Sequence, residues 1–429
     1  MVLAITLPMM GFTSEDAREL ADKLEQINSY PNILSHVKDE STRRRLREAG
    51  RKLSISMEAP GDTLHRIMKT PIQLSMAQVG IETHAFEILS QNDGTFLTCE
   101  ELAQRANVDP VLMKRFLRYY ESLGMVSQPS DSEYCANHVT KALASKSGWS
   151  GINYFYKTVS PALMAFPEFL RQNSFMNPTD AAHCPWNFGR QNSKPFFPWI
   201  QDQPEHFNYF LSWMKVQRVG LPIFLDVLDF AKEFAQGATD STVLFVDIGG
   251  AMGHQSIALK NRIPQVPGRI ILQEQASIIS EVQTNPMPGF EGIETQVHDF
   301  FTPQPIKGDN ISSYVTTSIY INRPIGARVY YLRNILHDWP SSKCRDILEN
   351  IKPAMTKESV ILIDEMVLSE RGVPWRAAQL DITMLACFAG LERSRADWKA
   401  LLDDVGLRLV KIWQYTEECE DCAIVAALP

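Results

Sequence analysis

Residues 242–274 read TVLFVDIGGAMGHQSIALKNRIPQVPGRIILQE, and the fold follows from how this stretch is punctuated. Val243 to Ile248 is a short apolar run rich in β-branched residues, closed by Gly249-Gly250. That predicts a strand buried on both faces. A helix is expected from about Gly253 to Lys260, and Arg269 to Gln273 reads as a second apolar strand with Glu274 at its carboxyl end. Strand, glycine turn, helix, strand and acidic residue is an order that holds a nucleoside. Glycines let the backbone approach the ligand, and an acidic residue accepts both ribose hydroxyls.

The turn narrows the choice of nucleoside. It is D-x-G-G-A-x-G, without the G-x-G-x-x-G of dinucleotide enzymes or a phosphate-loop Lys-Ser/Thr. An acidic Asp247 at the strand end suits a cationic ligand that carries no pyrophosphate. S-adenosylmethionine is such a ligand. The plain alternative is an ordinary βαβ crossover with a tight turn.

The rest of the composition sets bounds. A chain of 429 residues is long for one domain and comfortable for two. With 45% hydrophobic and 21% charged residues it reads as globular. A net charge of -8 argues against a life on nucleic acid or an anionic membrane. No stretch approaches the roughly 20 apolar residues of a spanning helix. The N-terminus, MVLAITLPMMGFTSED, lacks a basic leader region, so a cytoplasmic protein is expected. Seven scattered cysteines fit a reducing compartment, and the lone Cys419-x-x-Cys422 has no second pair to complete a zinc site, so no metal is expected.

Upstream, residues 1–69 form a polar helical segment that runs into the basic cluster Arg43, Arg44, Arg45 and Arg47, a solvated face or a cover for a partner subunit. Residues 70–145 read as an amphipathic helix from about Thr70 to Gln91, then helix, turn, helix and short strand, with a capping box at Thr98 to Glu101 and a helix start at Asp109-Pro110. This is a winged-helix order. DNA binding through Lys114, Arg115 and Arg118 is one use of it; packing or dimerisation suits the acidic chain better. Residues 146–235 are helix-rich and dense in aromatic and methionine side chains from Trp149 to Met214, a candidate wall for a flat apolar substrate.

From 236 to 429 strands alternate with helices, which argues for a doubly wound α/β sheet. Strands are expected at 293–300, 328–333, 359–363, 407–413 and 422–427, the last two as an antiparallel edge pair. Ligands in such sheets sit outside the carboxyl ends of the strands, which here carry Asp247, Glu274, Asp299, Arg333 and Asp364-Glu365. In YYLRNILHDWP, residues 330–340, His337 lies four residues beyond a strand end. An imidazole is a suitable base at neutral pH, and removing a proton from a phenol or enol makes its oxygen nucleophilic toward a sulfonium methyl. Glu365, and Glu392 in the loop after the helix 375–388, stand where a carboxylate could orient that imidazole.

DIGGAMGH, LQE, HDFF, YYLRNILHDWP, LIDEMVL and LDITMLACFAGLERSRADW, in this order and spacing, resemble the fungal S-adenosylmethionine-dependent O-methyltransferases, relatives of plant caffeate-type enzymes. The resemblance runs from about residue 70 to the C-terminus. It implies a Rossmann-like cofactor domain behind a winged-helix module that makes a homodimer. It places Gly249 and Gly250 on S-adenosylmethionine, Glu274 on its ribose, Asp299 and Phe300 on the adenine side, and Arg333 beside the methionine portion. His337 becomes the base, supported by Glu365 and Glu392. The implied activity is methylation of a phenol or enol on an aromatic or polyketide metabolite. Some proteins of this resemblance instead guide dehydration or pericyclic closure of a quinone methide. There the cofactor is not consumed, and Arg333, His337 and His138 would hydrogen-bond a substrate carbonyl.

Three positions depart from the family pattern. Ala251 replaces a third glycine and is strained if it needs positive φ. Glu274 stands where Asp is usual. DNISSYVTTSIYINRP, residues 309–324, is extra, as a surface loop or a retained intron.

Overall fold

The β-branched run 243–248 and the apolar run 269–274 pair in parallel, Asp247 opposite Leu272. All six residues of the first are buried, as a strand covered on both faces requires. The structure, a computed structural model, describes residues 13–28, 33–92, 94–307 and 326–429. The extra stretch 309–324 lies outside the described residues. The chain divides into two compact units, Met1–Tyr156 and Lys157–Pro429.

In the first unit, strands β1 (Leu97–Thr98), β2 (Ser127–Ser130) and β3 (Glu133–Cys135) form a small antiparallel sheet in the order β1-β3-β2. The helices Cys99–Ala106 and Pro110–Ser122 begin where the capping signals put them. Thr98 Oγ1 accepts the Glu101 N–H at 3.2 Å, and the Glu101 carboxylate accepts the Thr98 N–H at 2.8 Å. Leu102, Met113, Leu117 and Tyr120 close a core with Ile81, Phe86 and Leu89. One element differs from expectation. The helix begins at Pro60, carries Pro71 inside it, and breaks at Thr83-His84 before a second helix, Ala85–Gln91. Proline at position 71 starts nothing here. Its missing N–H is absorbed on an exposed face, and His84 at φ 55° makes the break instead.

The second unit is built on strands β4 (Val243–Ile248), β5 (Arg269–Glu274), β6 (Glu294–Val297), β7 (Val329–Arg333), β8 (Val360–Leu368), β9 (Arg393–Ser394), β10 (Arg408–Gln414) and β11 (Asp421–Ala427). Their order is β10-β11-β8-β7-β4-β5-β6, with β9 on β8. The pairs from β8 to β6 are parallel, while β11 runs antiparallel to both β8 and β10. The C-terminal pair is therefore antiparallel, but β11 lies inside the sheet and only β10 is the edge.

Alternation along β7 feeds two cores. Tyr330 and Leu332 pack with Ile347, Leu348 and Trp398, whereas Val329 and Tyr331 pack with Phe224, Leu259 and Val282. The chain winds from β4 to β5 and β6 on one side and returns to β7 and β8 on the other. The strand order thus reverses at β4, the place where an open α/β sheet leaves a crevice at the carboxyl ends of its strands.

Candidate functional site

Asp247, Glu274 and Arg333 stand at the carboxyl ends of β4, β5 and β7, beside that switch point. Gly249 takes φ 70° and Ala251 φ 49°, so the turn between β4 and the helix His254–Arg262 passes twice through the left-handed region. The two oxygens of Glu274, last residue of β5, accept the N–H of Ala251 at 3.1 Å and of Gln275 at 2.8 Å. Each oxygen keeps a lone pair for an incoming hydroxyl. Burial raises the Glu274 carboxyl above the ordinary range. Asp247 lies beneath Gly250 and accepts from Ser256 Oγ at 2.7 Å; burial pushes it up to about 6.

Past β6 the strand stops at Val297, short of the expected 300. Asp299 is exposed and its side chain accepts the Phe301 N–H at 3.0 Å, closing a turn that leaves Phe300 half-buried beside Gly249. On the opposite wall Ile335 Cδ1 lies 2.7 Å from the point a β-carbon on Gly249 would take. The loop after β7 therefore touches the glycine turn directly. Arg333 ends β7, its Nε 3.6 Å from Asp364 Oδ2, an ion pair longer than a hydrogen bond. Burial works against its charge, but Asp364 outweighs that and raises its proton affinity.

His337, 7% exposed, sits two residues beyond Ile335. Its Nδ1 lies 2.6 Å from Glu392 Oε1, while Nε2 lies 3.6 Å from Asp338 Oδ1. Glu365 has a different contact. Its Oε1 accepts the backbone N–H of Ile335 at 2.9 Å, Leu336 at 2.7 Å and His337 at 3.4 Å, and its Oε2 stays 3.9 Å from Nδ1. Glu392 meets the ring and Glu365 holds the loop. Burial opposes a charged imidazole, but Glu392, Glu365 and Asp338 together outweigh it and hold the ring up at about 10. Ligand atoms of His337, Glu365 and Glu392 lie within 4.8 Å of one another, the one grouping among the described residues able to take up a metal ion. The 2.6 Å bond to Glu392 commits Nδ1 to a proton instead.

Aromatic side chains flank the dyad. Trp339 packs edge-on to Phe301 at 4.8 Å between centroids and faces Phe197 at 6.2 Å, and Phe197 meets Phe388 at 5.3 Å. Farther out, the helices Ser160–Gln172, Pro185–Arg190 and Phe196–Gln201 border a cavity of about 1020 Å³ lined by Phe169, His183, Asn187, Phe188 and Trp199. His138 is exposed at the start of the helix His138–Ala144 in the other unit.

Sequence reasoning missed five supporting residues. Asp381 accepts the Glu392 N–H at 2.9 Å, and the buried Arg393 donates to the carbonyls of Leu336 and Leu391, both at 3.1 Å. Tyr331 and Tyr415 donate to Asp364, and Arg218 pairs with the buried Asp421 at 2.6 Å. A lone acid inside the apolar LDITML, and an arginine next to Glu392, were the available signals. Glu365 is also not at a strand end, because pairing with β11 and β9 carries β8 on to Leu368.

Known proteins share this architecture. Residues 312–408 match the family model for an O-methyltransferase domain. The chain is 35% identical over 386 residues to O-methyltransferase ucdC of Aspergillus ustus, covering 90% of this chain and 94% of that one. A solved structure of LepI in complex with SAM superposes with a TM-score of 0.84 at 32% identity, over 96% of this chain and 100% of that chain. Another, described as a pericyclic reaction enzyme, gives 0.83 at 31% identity, over 97% and 100%.

Proposed function

The chain belongs to the O-methyltransferase family of fungal secondary metabolism, and from that membership we propose that it binds S-adenosylmethionine and methylates a phenolic or enolic hydroxyl of an aromatic or polyketide metabolite. The observation that carries the reading is the buried His337–Glu392 contact on a loop whose Ile335 abuts Gly249. The crevice fits the cofactor. The turn 249–251 and Glu274 offer a nucleoside backbone donors and free acceptor lone pairs, Asp299 and Phe300 flank the adenine side, and Arg333 takes the carboxylate of the methionine portion. Asp247 braces the turn. Bound there, S-adenosylmethionine supplies an electrophilic methyl on a sulfonium.

The residues of the chain do the rest. Nε2 of His337 removes the hydroxyl proton while Glu392 keeps Nδ1–H fixed and stabilises the imidazolium. A ring held near 10 has the proton affinity of an ordinary phenol, about 10, so transfer between them is close to balanced. General base catalysis contributes roughly 10²–10⁴-fold, and alignment of the oxygen a further 7–11 kcal/mol. Release of S-adenosylhomocysteine from a panel of phenolic and enolic acceptors tests this. His337→Ala should lower it at least 10²-fold with cofactor affinity unchanged; an unimpaired variant would remove His337 from the chemistry.

A second reading has its own support. At neutral pH the imidazole favoured by its carboxylates is already protonated, a donor rather than an acceptor. With Arg333 it would then hydrogen-bond a carbonyl and steer a dehydration or ring closure that leaves the cofactor intact. Product formation that continues with S-adenosylhomocysteine in place of S-adenosylmethionine favours this reading.

The protein is assigned to the cytosol, where its seven free thiols stay reduced. No described helix is long and apolar enough to cross a membrane. The helix–helix–hairpin array of residues 97–135 is read as a winged helix used for homodimer formation, not for nucleic acid. The helices Ser14–Asn28 and Glu40–Ser56 bury no described side chain, and Leu64, Ile67, Met68 and Ile72 expose one apolar face of the helix from Pro60. Helices this short need an outside surface to be stable. Acidic residues crowd the first helix and basic ones the second, which suits pairing with a second copy. Light scattering should give a dimer that Leu64→Glu with Met68→Glu reduces to monomer; a monomeric wild type would contradict this.

A further inference from the structure

Four ionisable groups crowd one dry site: His337, Asp338, Glu365 and Glu392 are all at least four-fifths buried. Two atoms there lack a hydrogen-bond partner, Glu365 Oε2 and Glu392 Oε2. The other oxygen of each glutamate is engaged, Oε1 of Glu365 by three backbone N–H groups and Oε1 of Glu392 by Nδ1. With all three carboxylates ionised, they face two cations, the imidazolium and the buried Arg393 guanidinium, so one negative charge stays unbalanced beside two orphaned oxygens. Such a charge costs several kcal/mol.

We propose that Glu365 and Glu392 share one proton, carried on Glu365 Oε2 and donated to Glu392 Oε2, so that the His337 site holds two titratable protons rather than one. A single O–H···O bond then gives both orphaned oxygens a partner and brings the imidazolium and the two glutamates to neutrality. One carboxyl oxygen of each glutamate and a ring nitrogen of His337 lie within 4.8 Å of one another, so rotation of either carboxyl or one bridging water can join the two acids. Burial, followed by the nearby carboxylate, lifts Glu365 to about 7, in line with a proton kept at neutral pH.

The groups facing the pair from each packed element leave Glu365 as the holder. His337 and Asp338 face it from the loop after β7, Arg393 from β9, Asp381 from the helix Trp375–Phe388, and Cys344 from the helix Ser341–Ile351. Arg393 is occupied with backbone carbonyls and Asp381 with the Glu392 N–H. Glu392 is bound to the imidazolium. Glu365, whose second oxygen has no hydrogen-bond partner, is left.

The consequence concerns positioning, since Glu365 does not touch substrate. While neutral, it draws on Glu392 and tempers how strongly the dyad holds the imidazole proton; once ionised, it strengthens that hold. The inference builds on His337 as the working imidazole, but it is tested on the resting chain, so its failure leaves methyl transfer standing.

Difference infrared spectroscopy of the full chain between pH 5 and 9 should show the C=O stretch of a protonated carboxyl that disappears around pH 7 and is missing in Glu365→Gln. The amide preserves the acceptor for the loop and can donate to Glu392, so the variant removes the shared proton while keeping the hydrogen bonds of the loop. No band titrating near pH 7, or one that survives Glu365→Gln, overturns the proposal. If that variant fails to fold, nitrogen-15 NMR of His337 in the unmodified chain decides. A coupled two-step titration is expected; a single step contradicts the shared proton.

Discussion

Ala251 donates its N–H to Glu274 Oε1 across 3.1 Å while held at φ 49°, a left-handed conformation that its methyl group disfavours. The strain conditional on positive φ is present, and the acidic side chain that answers the strained amide belongs to the next strand. Glu274, longer than Asp by one methylene, reaches back to the turn it serves.

Ala251→Gly should relieve that strain of about 1–2 kcal/mol, less the extra chain entropy of glycine, for a net gain of about 0.5–1 kcal/mol. Denaturant midpoints compare the two chains. A less stable variant would mean that the turn relies on the methyl for packing.

Gly390 lies against the His337 loop. A β-carbon there would stand 2.1 Å from the His337 carbonyl oxygen, backbone that cannot swing aside. Gly390→Ala should push that loop away, lower turnover at least 10²-fold, and leave cofactor affinity within about threefold. Unchanged turnover would show that the imidazole tolerates a displaced loop.

Stability should fall with rising pH. His337 is held at about 10 against roughly 6.5 unfolded, Glu365 at about 7, and Asp247 and Asp338 at about 6 against roughly 4. In each case the folded chain binds the proton more tightly. Each contribution is full below the unfolded value and is lost as pH climbs through the folded one. Chemical denaturation at pH 6 and pH 9 should find the chain more stable at pH 6; the reverse order contradicts the buried cluster.

The same cluster separates the two chemistries by their pH profiles. If neutral His337 accepts the proton, kcat/KM rises about tenfold per pH unit from neutrality and levels off near 10. If the imidazolium donates to a carbonyl, activity is flat through neutrality and falls as pH approaches 10.

Much of the site was legible because its chemistry sits on short periodic segments. The run 243–248, the turn after it, Glu274 and the loop to His337 are each local signals, and the sheet brings them to one edge. What escaped depends on long-range pairing. Nothing near residue 365 tells that β11 extends β8 past it, or that its carboxylate faces backbone rather than the ring. Asp381 is one polar position on a helix otherwise read for core, and its bond to Glu392 spans 11 residues of chain. Pro71 misled because proline marks a helix start more often than an exposed interior.

The central claim is a crevice that takes S-adenosylmethionine against Glu274 and opens on His337. Titration calorimetry of the purified chain with S-adenosylmethionine tests it most directly. One molecule should bind per chain to wild type and to His337→Ala alike, with affinity at least tenfold weaker in Glu274→Ala, about 1.4 kcal/mol. No binding to wild type, or binding indifferent to Glu274, would contradict it.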